Sequence, residues 1–135
     1  MYIPRYDDVA LLIMLELAVN YGKGKIPLSK ISQDHGISVL FLKKLAASLK
    51  QAGLIRSREG ISGGYELSSP PETISLWNII GVFSKNFLAG GSKIRGLCRC
   101  PIKDDCLPQK VHLTMDRALQ QSFSNIYLSD LKKDY

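Results

Sequence analysis

The sequence predicts a mainly α-helical fold with one small β-hairpin, and three observations predict it. Apolar residues recur at helical spacing through the first half of the chain and again near its end. Two short strand-like stretches, Leu54–Arg58 and Tyr65–Leu67, flank the glycine-rich turn GISGG. Glycines stand where helices must stop, at Gly22, Gly24, Gly36 and Gly53.

Residues 7–21, DDVALLIMLELAVNY, read as the first helix, with Asp7 and Asp8 where negative charge suits the helix dipole. Apolar residues cover nearly its whole circumference, so burial on more than one side is expected, and in a small protein that points to a partner chain. Ser29 is the expected N-cap of a short helix, Lys30–His35, and Gly36 suits a left-handed position after it. Ser38 is expected to cap a third helix running to about Ala52. On it Leu42, Leu45 and Leu49 face the core, while Lys43, Lys44 and Lys50 lie elsewhere on its surface. A short helix, a tight glycine turn and a longer basic helix form a helix-turn-helix pattern, and the hairpin that follows directly is a wing. Pro70 and Pro71 close the wing, and Ser75 is expected to cap a helix, Leu76–Ser84.

From Lys85 to Leu107 helical periodicity fails, and Gly90, Gly91, Ser92 and Gly96 give a flexible approach to CRCPIKDDC. Pro108 suits the first position of a helix of about five turns. Val111, Met115, Ala118, Leu119, Ser122 and Ile126 share one face of it. A long amphipathic helix outside the winged unit is suited to dimerisation, the alternative being that it packs back on its own domain. The expected organisation is therefore a winged helix-turn-helix over 1–84, a cysteine-containing loop over 85–107, and a dimerisation helix with its tail over 108–135.

The chain has 135 residues, room for one modest hydrophobic core, and a formal net charge of +6. From Lys23 to Arg58 eight Lys and Arg residues face a single acid, Asp34, so this segment carries the whole positive excess. A basic stripe of this kind suggests a polyanion as partner. The longest apolar run, Val9–Leu15, is too short to span a bilayer, so no membrane partner is expected. The start, MYIPRYDD, lacks a basic segment ahead of an apolar core, so no secretory signal is expected and the chain reads as cytoplasmic. An enzyme is not expected. There is no Ser–His–acid arrangement, no phosphate-binding glycine loop before a helix, and there are only two His.

The three cysteines, Cys98, Cys100 and Cys106, fall within nine residues. An odd count so closely spaced in a cytosolic chain argues for metal or redox chemistry over a disulfide framework. Three thiolates on one loop suit iron or zinc, both of which take soft sulfur ligands.

The stretch LSKISQDHGISVLFLKKLAASLKQAGLIRSREGISGGYELSSPPETISLWNII, residues 28–80, resembles the winged-helix regulators of the IscR, NsrR and CymR type, the Rrf-two family. The N-terminal helix and the cysteines followed by a C-terminal helix match as well. The resemblance implies a homodimeric transcription regulator, a repressor, that binds a double-stranded DNA operator. It also implies sensing of iron–sulfur status, redox change, nitric oxide or cysteine supply, with a two-iron or four-iron cluster as cofactor in many members. Alternatives are zinc at the cysteines, thiol oxidation with no metal, or regulation through a partner protein.

A recognition helix offers its N-terminal residues to the major groove, here Ser38, Val39, Leu40, Phe41, Lys43 and Lys44. Ser29 and Lys30 on the preceding helix, and Arg56 and Arg58 on the wing, join the expected DNA contacts. Relatives often carry an acid at the position of Lys43 and an Arg at that of Glu59. IscR-like relatives place a His where this chain has Gln109, leaving His112 further along. NsrR-like relatives use an Asp near the start of the first helix, supplied by the other subunit. On that match Cys98, Cys100, Cys106 and Asp8 form the expected ligand set.

Overall fold

The computed structural model describes residues 6–83 and 107–135. Helix α1 (Tyr6–Val19) is followed by α2 (Leu28–His35) and α3 (Val39–Gln51). The hairpin β1 (Ile55–Arg58) and β2 (Gly64–Leu67) comes next, then a single 3-10 turn (Pro71–Thr73) and α4 (Leu76–Phe83). Beyond the segment that is not described come α5 (Leu107–Ser124) and α6 (Leu128–Lys132). This is the mainly helical fold with a wing that the sequence predicts.

Helix α1 is the centre of the core. Val9, Ala10, Ile13, Met14, Leu17 and Ala18 are buried, and they meet α3, α4 and α6. The burial on several sides expected for this helix is thus supplied within the chain. The helix ends at Val19, short of the expected Tyr21, where Asn20 Nδ2 donates to the Glu16 carbonyl at 2.9 Å and competes with the helical ladder.

Two expected caps differ from what is found. Helix α2 begins at Leu28, one residue ahead of Ser29, and Pro27 holds the preceding position in extended backbone. Leu28 is buried in the core, so the helix starts early enough to point it inward, and Ser29 is left exposed within the first turn. Ser38 does precede α3, but its side chain makes no capping bond. Two others hold. Gly36 is left-handed, with φ +65°, and its N–H donates to the Ser32 carbonyl. Ser75 caps α4 reciprocally, its Oγ accepting from Asn78 N at 3.2 Å and its N–H donating to Asn78 Oδ1 at 3.0 Å.

The wing is antiparallel, pairing Ile55 with Leu67 and Arg58 with Gly64. Both strands are anchored in the core at the base of the stem, by Ile55 and Leu67. An isolated bridge adds to it: Ile26 N–H donates to the Tyr65 carbonyl at 3.0 Å, and Tyr65 N–H donates to the Ile26 carbonyl at 2.8 Å.

The C-terminal tail belongs to the same core. Leu76 N–H donates to the Ile126 carbonyl and Leu128 N–H to the Ile74 carbonyl, and the Leu128 side chain is fully buried. Pro108 stands second in α5, and that helix packs on α4. Among the described residues no helix is long and apolar enough to cross a membrane.

Candidate nucleic-acid interface

Helix α3 divides cleanly. Leu42, Leu45, Ala46 and Leu49 are buried, which leaves Leu40, Lys43, Lys44 and Lys50 on the outside. Leu40 is 78% exposed at the helix start, an apolar side chain held in water one helical turn before Lys43 and Lys44. Val39 and Phe41 are half-buried, and Phe41 packs on the core. Its ring also meets that of Tyr6 at 5.4 Å. Lys44 Nζ lies 5.5 Å from the Tyr6 ring centre, a cation–π distance. Phe41 therefore holds the recognition surface to α1, while Leu40 and the two lysines face outward.

The wing is tied to the same surface. Lys50 Nζ donates to Ser57 Oγ at 2.6 Å, bridging the end of α3 to β1. Arg56 pairs with its cross-strand neighbour Glu66 at 3.5 Å, while Arg58 stands exposed at the far end of β1. Two glycines are required by close approach. A Cβ on Gly63 would sit 2.5 Å from the Arg58 carbonyl oxygen, and one on Gly64 would sit 2.7 Å from the Ile26 carbonyl. The exposed lysines of α3 and the exposed arginines of β1 thus come from adjacent elements whose relative placement is fixed by packing and by the Lys50–Ser57 bond. Cations on adjacent elements are the groups that suit phosphate contacts, and side chains at the start of a helix are those that suit base edges. Ser29 and Lys30 are exposed on α2, the first helix of the pair.

Sequence reasoning passed over Tyr6, Lys50 as a bridge to the wing, and a polar cluster beside α2. There His35 Nε2 and the Tyr135 hydroxyl both donate to Glu16 Oε1, at 2.8 and 2.6 Å. Burial pushes the Glu16 carboxyl up. The hydrogen bonds from Tyr135 and His35 and the charges of His35 and Lys30 outweigh this and hold it below the usual carboxylate range. Burial, the bond to Glu16 and the nearby acids Glu16 and Asp34 push the Tyr135 phenol up to about 12.

The expected ligands Cys98, Cys100 and Cys106 lie outside the described residues. Asp8 stands exposed in the first turn of α1. Among the described residues no three His, Cys, Asp or Glu side chains gather as a metal site.

The Rrf2 family profile, described as an iron-dependent transcriptional regulator, matches residues 3–134. The chain belongs to this family. IscR of Vibrio vulnificus is 31% identical over 125 residues, covering 93% of this chain and 73% of the relative. CymR, the global cysteine regulator of B. subtilis, superposes with a TM-score of 0.78 at 26% identity, over 100% of this chain and 98% of its own. IscR of T. potens gives 0.76 at 26% identity, over 99% and 88%. As an Rrf2 protein the chain is a DNA-binding transcription regulator and not an enzyme. Its α2–α3 pair is the helix-turn-helix and its hairpin the wing.

Proposed function

We propose that this Rrf2 regulator is a cytoplasmic homodimer that represses transcription by binding a palindromic operator with paired α3 helices, and that Cys98, Cys100 and Cys106 make it responsive to iron–sulfur, redox or nitric oxide status. The observation that carries the DNA-reading half is the exposed start of α3, with Leu40, Lys43 and Lys44 beside the arginine-bearing wing. The observation that supports the dimer is α5. Val111 and Met115, assigned to its apolar face, are 49% and 53% exposed in the single chain.

The donor set suits a cluster: three thiolates with one carboxylate, Asp8, exposed where a second subunit can reach it. A bound cluster would supply a redox-active centre whose net charge changes with its state. The protein's own part is positional. The 85–107 segment joins α4 to α5, so its conformation bears on how two recognition helices are spaced in a dimer. A reading in which the same thiols act without iron has one observation in its favour, the superposition on CymR.

Anaerobic purification followed by iron and sulfide analysis separates the two. Broad absorption near roughly 400 nm, lost in Cys→Ala variants, is expected for thiolate-bound iron. Zinc or no metal in the anaerobic protein would sink the cluster reading. For the DNA-reading half, Lys44→Ala is expected to weaken duplex binding and to reduce the log–log salt slope by about one. An unchanged slope would remove Lys44 from the phosphate contacts.

A further inference from the structure

The wing's tip is an unusual place for the side chain it carries. Gly60 to Gly63 form a tight turn, closed by Gly63 N–H donating to the Gly60 carbonyl at 3.0 Å. Ile61 is the first corner residue of that turn and is fully exposed, making no part of the core. An isoleucine is stiff at χ1, and nothing about the turn requires it. The backbone around it, by contrast, is closely specified. Gly60 has φ +119°, and Gly63 has no room for a Cβ against the Arg58 carbonyl. The hairpin therefore presents a rigid apolar side chain at its outermost point.

Its surroundings say what it faces. The stem behind Ile61 carries Arg56 and Arg58 and is bonded to α3 through Lys50 and Ser57. The tip itself carries Glu59, exposed and of the same sign as phosphate. A wing of this composition gains little at its tip from charge. It retains one capability there, an apolar contact. In the DNA-binding reading α3 occupies the major groove, and the wing beside it is then directed at the flanking minor groove. Apolar side chains entering a minor groove partly unstack a base step, at least cost where the step is already flexible.

We propose that Ile61 is an apolar wedge that enters the minor groove flanking the α3 contact and confers preference for a flexible pyrimidine–purine step there. The proposal rests on the DNA-binding reading and adds a specificity-determining residue to it. The occupant of the tip is duplex DNA, because the apolar tip is continuous with the cationic surface formed by α3 and β1.

The test uses the full chain and a duplex enriched by the wild-type protein from a randomised pool. 2-Aminopurine replaces the adenine of a TA or CA step at the flank. Wild-type binding is expected to raise its fluorescence, reporting unstacking. Ile61→Ala is expected to lose that rise and to bind about tenfold more weakly, with an unchanged salt slope, since no phosphate contact is removed. Ile61→Leu is expected to restore both. If Ile61→Ala keeps affinity and fluorescence while Lys44→Ala weakens binding, the wedge is overturned and the DNA-binding reading stands. If Ile61→Ala instead changes only the sedimentation behaviour of the free protein, the tip contacts protein and the proposal is again overturned. Failure of the wild-type chain to enrich or bind any duplex overturns both readings.

Discussion

Helix α3 carries Leu42, Leu45 and Leu49 along one side, and all three are fully buried; helix α5 carries Val111 and Met115 along one side, and both stand about half exposed. The two helices are built on the same amphipathic plan. For α3 the partners come from the same chain, with α1 behind it and β1 beside it. For α5 the chain supplies α4 and leaves part of the apolar side in water. The difference separates what the fold needs from what the assembly needs. The winged unit is complete within one chain, whereas α5 leaves an apolar surface that the proposed dimer assigns to a second copy.

The largest expected effect tests the completed side. Leu42→Ala removes a fully buried side chain at the junction of α3 with α1. It should lower folding stability by about 2–5 kcal/mol in urea unfolding. Operator binding should fall only as far as the folded fraction falls. A loss below about 1 kcal/mol would mean that the α3 core relaxes freely, and the contrast with α5 would lose its basis.

A smaller effect on folding, but a decisive one on assembly, is expected from α5. Val111→Lys with Met115→Lys places two charges on the exposed apolar side. In the isolated fold this should change stability by no more than about 0.5 kcal/mol per site, since neither side chain is in the core. In solution it should convert a dimer into a species of 15.0 kDa, read by sedimentation equilibrium. A wild-type chain that already sediments as a monomer would refute the reading of α5. So would a double variant that unfolds.

The same contrast explains what could be read from the sequence. The helix-turn-helix and its wing are legible because their signals are local. Leu42, Leu45 and Leu49 repeat within one helix, Gly36 ends another, and GISGG sits between two strand-like stretches. Contacts that join distant parts are not. Nothing near Ile26 marks it as the partner of Tyr65, and nothing near Leu128 marks it for the core, because each depends on where another segment folds. The cap assigned to Ser29 failed for a related reason. Its local signal is real, but burial of Leu28 sets where α2 begins. Exposure is equally invisible. Periodicity places Val111 and Met115 on one face of α5 and cannot say whether the chain covers that face.

The smallest effect concerns the tail, which lies beyond α5 in sequence yet packs with the DNA-reading unit. Its Tyr135 hydroxyl donates to Glu16, joining the tail to α1 and, through His35, to α2. Tyr135→Phe removes one hydrogen bond to a carboxylate at a site open to solvent. The expected loss is at most about 1 kcal/mol near neutral pH, since water screens the pair and replaces the lost partner. The pH dependence follows from the two shifts. Glu16 is held below its ordinary 4.5, so its contribution is present above that value and fades as pH falls through the lowered one. Tyr135 is raised from 10.0 to about 12, so its contribution is complete below 10.0 and is lost as pH rises through about 12. The gap between wild type and Tyr135→Phe should therefore form a plateau from pH 5 to pH 9 and narrow on the acid side. Chemical denaturation across that range measures it. Affinity for DNA should stay within about twofold, a difference of less than half a kcal/mol. A larger loss of affinity would show that the tail sets the position of α2 on the duplex, so that the DNA-reading unit includes Tyr135.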